Sequence, residues 1–214
     1  MKKVLKNVSF IFLLLKMCFI FGQEIDSQKI IIIDPGHGGK DSGAVGINGI
    51  QEKNIVLDIA LDILSLNKQS KTPLDIYLTR YSDTLISLSK RTKLAKALNA
   101  DVFISVHCNH SNSSNTRGVE IYVAKNISQY LNSSTWIAFQ LQAALKKKLG
   151  FESRGVKFKN FQLLVDSANH FPSVLLELGF LSNWDENRYF SSPENIRLAA
   201  LAILLSIQKH RNYE

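Results

Sequence analysis

Two histidines and two glutamates of this chain stand where strands are expected to end. Lys29-Ile30-Ile31-Ile32-Ile33 is a continuous β-branched run, the pattern of a strand buried on both faces, and Asp34-Pro35-Gly36-His37 breaks it into a loop. His107 follows Val102–Val106 in the same way, and Glu177 follows Val174–Leu176. Glu52 comes after a loop holding Gly38, Gly39, Gly43, Gly46 and Gly49, whose backbone freedom lets it fold back over its surroundings. In open α/β sheets, ligands bind beyond the carboxyl ends of the strands. Three strands thus deliver a His, a His and a Glu to one edge, with a second Glu folded over them. Two imidazoles and one carboxylate form a catalytic zinc set, because three protein ligands leave a fourth position for water, whereas structural sites are closed by four. Each residue alone has a plainer reading. A loop His is more often a satisfied polar residue, and Glu52 could simply favour a helix N-terminus. Their convergence is what points to a metal. His110 and His170 read as loop residues. DPGHGG is not a nucleotide loop: no Lys-Ser/Thr follows it, and its spacing differs from G-x-G-x-x-G.

The elements that must position these residues follow from periodicity. Glu52–Leu66 has apolar residues at 56, 59, 60, 63 and 66, which is helical spacing. Leu74–Thr79, Gly118–Val123 and the short Leu163–Val165 read as further strands. Ser87–Leu98 reads as a basic amphipathic helix, and Ser134–Leu149 as a helix stopped by Gly150. Ser192-Pro193 fits an N-cap followed by Pro at the first helical position. The helix Ile196–Ile207 is apolar nearly all round and is expected to be buried. Strands alternating with helices give an α/β fold: a twisted, largely parallel (mixed) central sheet of about six strands, helices on both faces, and the zinc site at the strand C-terminal edge.

Composition agrees with one globular domain. The 214 residues are 45% hydrophobic and 21% charged, which excludes a disordered or collagen-like chain. Two cysteines exclude a disulfide scaffold. The net charge is +8, and Lys2, Lys3, Lys6 and Lys16 carry half of it within the first 22 residues. No block of five basic residues appears, so nucleic acid is not an expected partner; a mild positive balance suits an anionic polymer such as a cell wall. Residues 1–22 start basic, turn apolar from Val8 and end on Gly22, the layout of a secretory signal peptide. Lys16 interrupts the apolar stretch, so neither half reaches the ~20 residues needed to span a bilayer. The expectation is an exported protein of the bacterial periplasm or cell envelope. It would be a single catalytic domain over 23–214, monomeric, with no stable membrane insertion once the leader is removed. Cys108 then remains as the lone thiol, with no internal disulfide available.

Four ordered motifs carry a resemblance: DPGHGGKDSGAVG at 34–46, the Glu of QEKN at 51–54, SVHCN at 105–109 and LLELGFLSN at 175–183. Thr79-Arg80 with Asp83, Arg91, Ala100-Asp101 and Gly118-Val119-Glu120 add to it. Together they resemble the zinc-dependent N-acetylmuramoyl-L-alanine amidases of the Amidase_3 type, over about residues 29–210. The resemblance implies a peptidoglycan hydrolase that cuts the amide between N-acetylmuramic acid and the L-alanine of the stem peptide. It implies His37, Glu52 and His107 as zinc ligands and Glu177 as the catalytic carboxylate. A non-catalytic wall-binding domain of the same fold, or a zinc peptidase acting within the stem peptide, are the competing functions. Some members of the family carry a helical insertion that covers the zinc. Here only about ten residues separate Val123 from Ser134, too few for such a helix, whose three turns alone take about 11 residues. Self-inhibition, and hence need of an activator protein, is not expected. Cys108 stands where the family commonly has a small residue; a thiolate there could compete as a metal ligand, but strand geometry turns it away from His107 and favours a buried, inert thiol. Glu177 lies in the apolar stretch Leu175–Phe180, where an unpaired charge is expensive, so the plainer alternative is a buried salt bridge to Arg80 or Arg154.

Overall fold

The protein is described by a computed structural model covering residues 29–211. The expected signal peptide at 1–22 lies outside the described residues. Among the described residues there are six strands and six helices, alternating except where β4 follows β3 and α6 follows α5: β1 (Ile30–Pro35), α1 (Glu52–Lys68), β2 (Asp75–Leu78), α2 (Leu88–Ala97), β3 (Val102–Asn109), β4 (Val119–Val123), α3 (Leu131–Leu149), β5 (Ser153–Phe158), α4 (Gln162–Ser167), β6 (Ser173–Phe180), α5 (Trp184–Phe190) and α6 (Pro193–Arg211). They build one six-stranded sheet in the order β2-β1-β3-β6-β4-β5. All neighbours are parallel except β4 and β6, so the sheet is mixed and mainly parallel, as expected. Among the described residues no helix is long and apolar enough to cross a membrane.

Alternation along the strands sorts side chains into two cores. Ile31, Ile33, Ile104, Val106, Val174 and Leu176 pack against α1, α3 and α6 in the larger one. Ile32, Phe103 and Leu175 face the other side, under Ala95 of α2 and Leu163 and Leu164 of α4. Each such side chain stabilises the fold by about 1.5–3 kcal/mol relative to exposure. On the α2/α4 face the same parity continues to the edge where β1, β3 and β6 end and β4 begins, but the residues turn polar: Asp34, Ser105, His107, Glu120 and Glu177. The apolar half of that face is capped by two short helices, and the polar half is the site.

Three expectations need correction. Leu163–Val165 is not a strand but part of helix α4; a short apolar run fits either period, and here Leu163 and Leu164 both face the smaller core while the Ser167 hydroxyl returns to the Leu163 carbonyl (2.7 Å). His107 and Glu177 do not follow their strands but lie within them, because β3 runs to Asn109 and β6 to Phe180. Helix α6 is not buried all round: Leu198, Leu201 and Leu205 are exposed, since α6 lies on α1 and α3 and only the side toward them is covered. Two elements are absent from the sequence reading. β5 is an exposed edge strand interrupted by Gly155, with little alternation to read. α5 does carry a signal: Asn183 caps it, accepting from Asp185 and Glu186 backbone N–H groups at 3.1 and 3.2 Å. The connection from β4 to α3 is residues 124–130, shorter even than the sequence suggests.

Candidate metal centre

His37 is delivered by the turn that ends β1. The Gly36 N–H still bonds the Val106 carbonyl (3.0 Å), so the turn leaves the sheet at a defined point. His37 itself adopts φ 58°, an uncommon left-handed conformation for a side-chain-bearing residue. Buried Arg91 holds it there, donating to the His37 carbonyl (2.7 Å), the Pro35 carbonyl (2.7 Å) and the Asp34 carboxylate (2.7 Å). Asp34 is fully buried and also accepts from Thr79 (2.5 Å) and Ser105 (2.7 Å). It thus joins β1, the end of β2, α2 and β3, and fixes the His37 loop through Arg91 rather than by touching the imidazole.

The imidazole has its own partner, Asp41, whose carboxylate lies 2.9 Å from Nδ1. That carboxylate orients the ring and leaves Nε2 as the outward ligand nitrogen. From the other side comes Glu52, the first residue of α1, 3% exposed. Its Oε2 accepts the Ala44 N–H (2.7 Å) and its Oε1 the Cys108 N–H (2.9 Å). The loop before α1 approaches so closely that Gly43, at φ 64°, has no room for a side chain: a Cβ there would sit 2.4 Å from Glu52 Oε2 and 2.6 Å from His37 Cδ2. At Gly36 a Cβ would fall 2.2 Å from the His107 ring.

The three ligand atoms form a near-equilateral triangle. His107 Nδ1 lies 2.9 Å from Glu52 Oε1 and 3.2 Å from His37 Nε2, and His37 Nε2 lies 3.1 Å from Glu52 Oε1. Ligands at about 2.0–2.1 Å from a tetrahedral zinc stand about 3.3–3.4 Å apart. The triangle therefore needs to open by only a few tenths of an ångström. Among the described residues this is the one cluster of three or more potential metal ligands. Electrostatics tell the same story. Burial alone would raise Glu52, but hydrogen bonds from His107 and His37 hold it down to about 2. Burial alone would lower His37, but Glu52 and Asp41 carry it up to about 9; His107 is raised by Glu52 against its own burial. A buried anion is drawing positive charge to this point. Two imidazole nitrogens and one carboxylate oxygen are a donor set that fits zinc.

Glu177 is the partner of His107 in the β3–β6 register and of Glu120 in the β6–β4 register. Its Oε2 is buried with no hydrogen-bond partner. Burial pushes its carboxyl from 4.5 up to about 7; His107 works against this, and Glu52 and Glu120 add to it. The alternative salt bridges do not form. Arg80 donates to the carbonyls of Pro35 (3.0 Å), Gly36 (2.8 Å) and Lys53 (2.8 Å), and Arg154 to Glu120 (2.7 Å). Cys108 points into the larger core, and burial drives its thiol well above its usual range. Asn109 donates to Glu120 at 3.2 Å. His110 and His170 lie outside the ligand cluster. Sequence reasoning assigned no role to Asp41. Its position four residues after His37 was the available signal.

Three comparisons with known proteins bear on this site. The profile of the N-acetylmuramoyl-L-alanine amidase family, Amidase_3, matches residues 31–209. An uncharacterized cell wall amidase of Bacillus anthracis is 40% identical over 189 residues, covering 84% of this chain and 35% of that protein. The N-acetylmuramoyl-L-alanine amidase LytC of Bacillus subtilis is 41% identical over 156 residues, covering 72% of this chain and 30% of that protein. The chain thus spans about a third of the length of these two relatives. Among solved structures, the catalytic domain of CwlV, an N-acetylmuramoyl-L-alanine amidase from Bacillus (Paenibacillus) polymyxa var. colistinus, superposes with a TM-score of 0.77 at 35% identity. That match covers 87% of this chain and 99% of the other.

Proposed function

We propose, from the premise that this chain belongs to the N-acetylmuramoyl-L-alanine amidase family, that it hydrolyses the amide between N-acetylmuramic acid and L-alanine in peptidoglycan. The observation that carries this is the triangle of His37, Glu52 and His107 ligand atoms beside the unpartnered buried Oε2 of Glu177. In this reading His37 Nε2, Glu52 Oε1 and His107 Nδ1 hold a zinc ion. When bound, such an ion supplies Lewis acidity, polarising the scissile carbonyl and making water nucleophilic near neutral pH.

The residues of the chain do the rest. Glu177 Oε2 accepts the proton of the attacking water and returns it to the alanine nitrogen as that leaves. A carboxyl held near neutrality suits both halves of that transfer. Asp41 keeps the His37 ring in place, and the Ala44 and Cys108 N–H groups keep the Glu52 carboxylate in place, so neither ligand must reorganise during turnover. With only residues 124–130 between β4 and α3, no covering helix arises there, so activity needs no activator protein. The enzyme is a monomer with its catalytic domain over 23–214. It is exported through a signal peptide at 1–22 and acts in the periplasm or cell envelope.

The test is mass spectrometry of purified sacculi digested by the protein, with and without chelator. Expected products are stem peptides with a free N-terminal alanine and glycan bearing unsubstituted muramic acid, and none with chelator present. Cuts between stem residues would assign a peptidase instead. Binding without cleavage would assign a wall-binding domain.

A further inference from the structure

β5 carries a bulge beside the site. Between the pairs Val119↔Ser153 and Ile121↔Val156, two steps along β4 match three along β5, and Gly155 takes up the difference at φ 87°. In an unbroken strand Arg154 and Lys157, three positions apart, would face opposite sides of the sheet. The bulge puts them on one side, the α2/α4 face, as bulges beside active sites commonly re-aim side chains. Both reach the same atom: Arg154 Nε and Lys157 Nζ lie 2.7 and 2.5 Å from Glu120 Oε1. The other oxygen of Glu120 is served by the Tyr122 hydroxyl (2.5 Å) and Asn109 (3.2 Å).

A structural pair for Glu120 needs one cation, and two are present. Glu120 is 5% exposed at its side chain, whereas Arg154 and Lys157 are 38% and 39% exposed. The two cations therefore present one net positive charge to solvent over a buried anchor. Lys159 follows on the same side, 4.5 Å from the Phe161 ring centre. Glu120 is the register partner of Glu177. The cationic pair thus meets two strand spacings from His107, about 10 Å away. An extended peptide covers that distance in three residues, at about 3.3–3.6 Å each.

We propose that Arg154 and Lys157 form a carboxylate-binding subsite that grips a free carboxylate on the second or third residue of the stem peptide and so sets substrate preference. This rests on the amidase reading above. The bulge is what makes the subsite: it converts two residues of opposite parity into one charged clamp, with Glu120 holding both heads in place.

Synthetic N-acetylmuramoyl tripeptides, with the carboxyl of residue two or residue three left free or amidated one at a time, provide the test. The intact protein should cleave the free form with a KM lower by about tenfold or more, the effect of one charge-assisted pair, at nearly unchanged kcat. Whichever amidation removes the preference identifies the source of the carboxylate. Arg154→Gln and Lys157→Gln should raise KM for the free substrate alone, and Arg154→Lys should restore part of it. Because the double variant leaves Glu120 buried without a cation, Glu120→Gln is added to it, and melting curves check that it folds. A preference that persists in that triple variant, or a KM that rises equally for both substrates, overturns the subsite. Calorimetric binding of the sugar-free tripeptides separates the two readings. Carboxylate-dependent binding that needs Arg154 and Lys157, without cleavage of any substrate, would keep the subsite and remove the amidase reading. Cleavage without such dependence would do the reverse.

Discussion

Glu177→Gln removes a charge and keeps the shape of the side chain, and its consequences can be worked out in sign and size. The Glu177 carboxyl lies at about 7 in the folded chain against an ordinary 4.5, chiefly because it is buried. A carboxyl that ionises later in the folded state than in the unfolded state makes folding take up a proton between those two values. Stability of the metal-free protein therefore declines as pH rises from about 4.5 to about 7, and the full penalty persists above that. Over that interval, at about 1.36 kcal/mol per pH unit, the penalty reaches about 3 kcal/mol. Gln carries none of it. Metal-free Glu177→Gln should thus melt higher than the parent at pH 8, by roughly 2–4 °C for each kcal/mol in a chain of this size, and like the parent at pH 4. Turnover should fall by about 10²–10⁴, or about 3–5 kcal/mol of barrier, with zinc content unchanged. Scanning calorimetry of chelated protein at the two pH values, metal analysis, and peptidoglycan cleavage rates make the comparison. A variant less stable than the parent at pH 8 would show that Glu177 is a structural anchor. Loss of zinc, or near-full turnover, would refute its role as the base.

Other perturbations separate the ligands from their supports. Glu52→Gln should lose zinc where Glu177→Gln keeps it, by metal analysis of both variants purified side by side, since Glu52 Oε1 is the atom that both imidazoles approach. Gly43→Ala should weaken zinc affinity by about 10–100-fold, the usual effect of disturbing a ligand's support, because its Cβ would press on both Glu52 and His37; competition with a chromogenic chelator measures it. Arg91→Met leaves Asp34 buried without its cation and should cost about 3–5 kcal/mol in urea unfolding, with an unchanged midpoint arguing against the Asp34 hub. His37 is raised to about 9 by Glu52 and Asp41 against its burial, so the metal-free ring holds a proton at pH 7 that zinc must displace. Zinc affinity should then rise with pH up to about 9, and calorimetry at pH 7 in buffers of different ionisation heat should register proton release.

His107 and Glu177 are legible in the sequence because they sit at the transition from apolar to polar along strands of fixed parity. Ile32 to Asp34, Phe103 to Ser105 and His107, and Leu175 to Glu177 each step along one face of the sheet, from core to site. That parity is a property of the extended chain and needs no tertiary information. The alternation of β-branched runs with helical spacing likewise specifies an α/β sheet. Local pattern fails where the deciding neighbour is remote in sequence. Leu163–Val165 becomes helix because a second core lies above it, and β6 runs on through Glu177 because β3 and β4 supply hydrogen bonds on both sides. Spacing alone does not say which of two glutamates meets the imidazoles. That depends on the loop before α1, packed so tightly at Gly43 that Glu52 is pressed against His37 and His107 from 15 and 55 positions away. Nor can the residues 154 and 157 be seen from spacing to share a partner, since period two sets them on opposite faces; only the bulge at Gly155 brings both to Glu120. Sequence determines which side chains are polar and which way each strand turns them, and the close approach of distant backbone segments decides which of them touch.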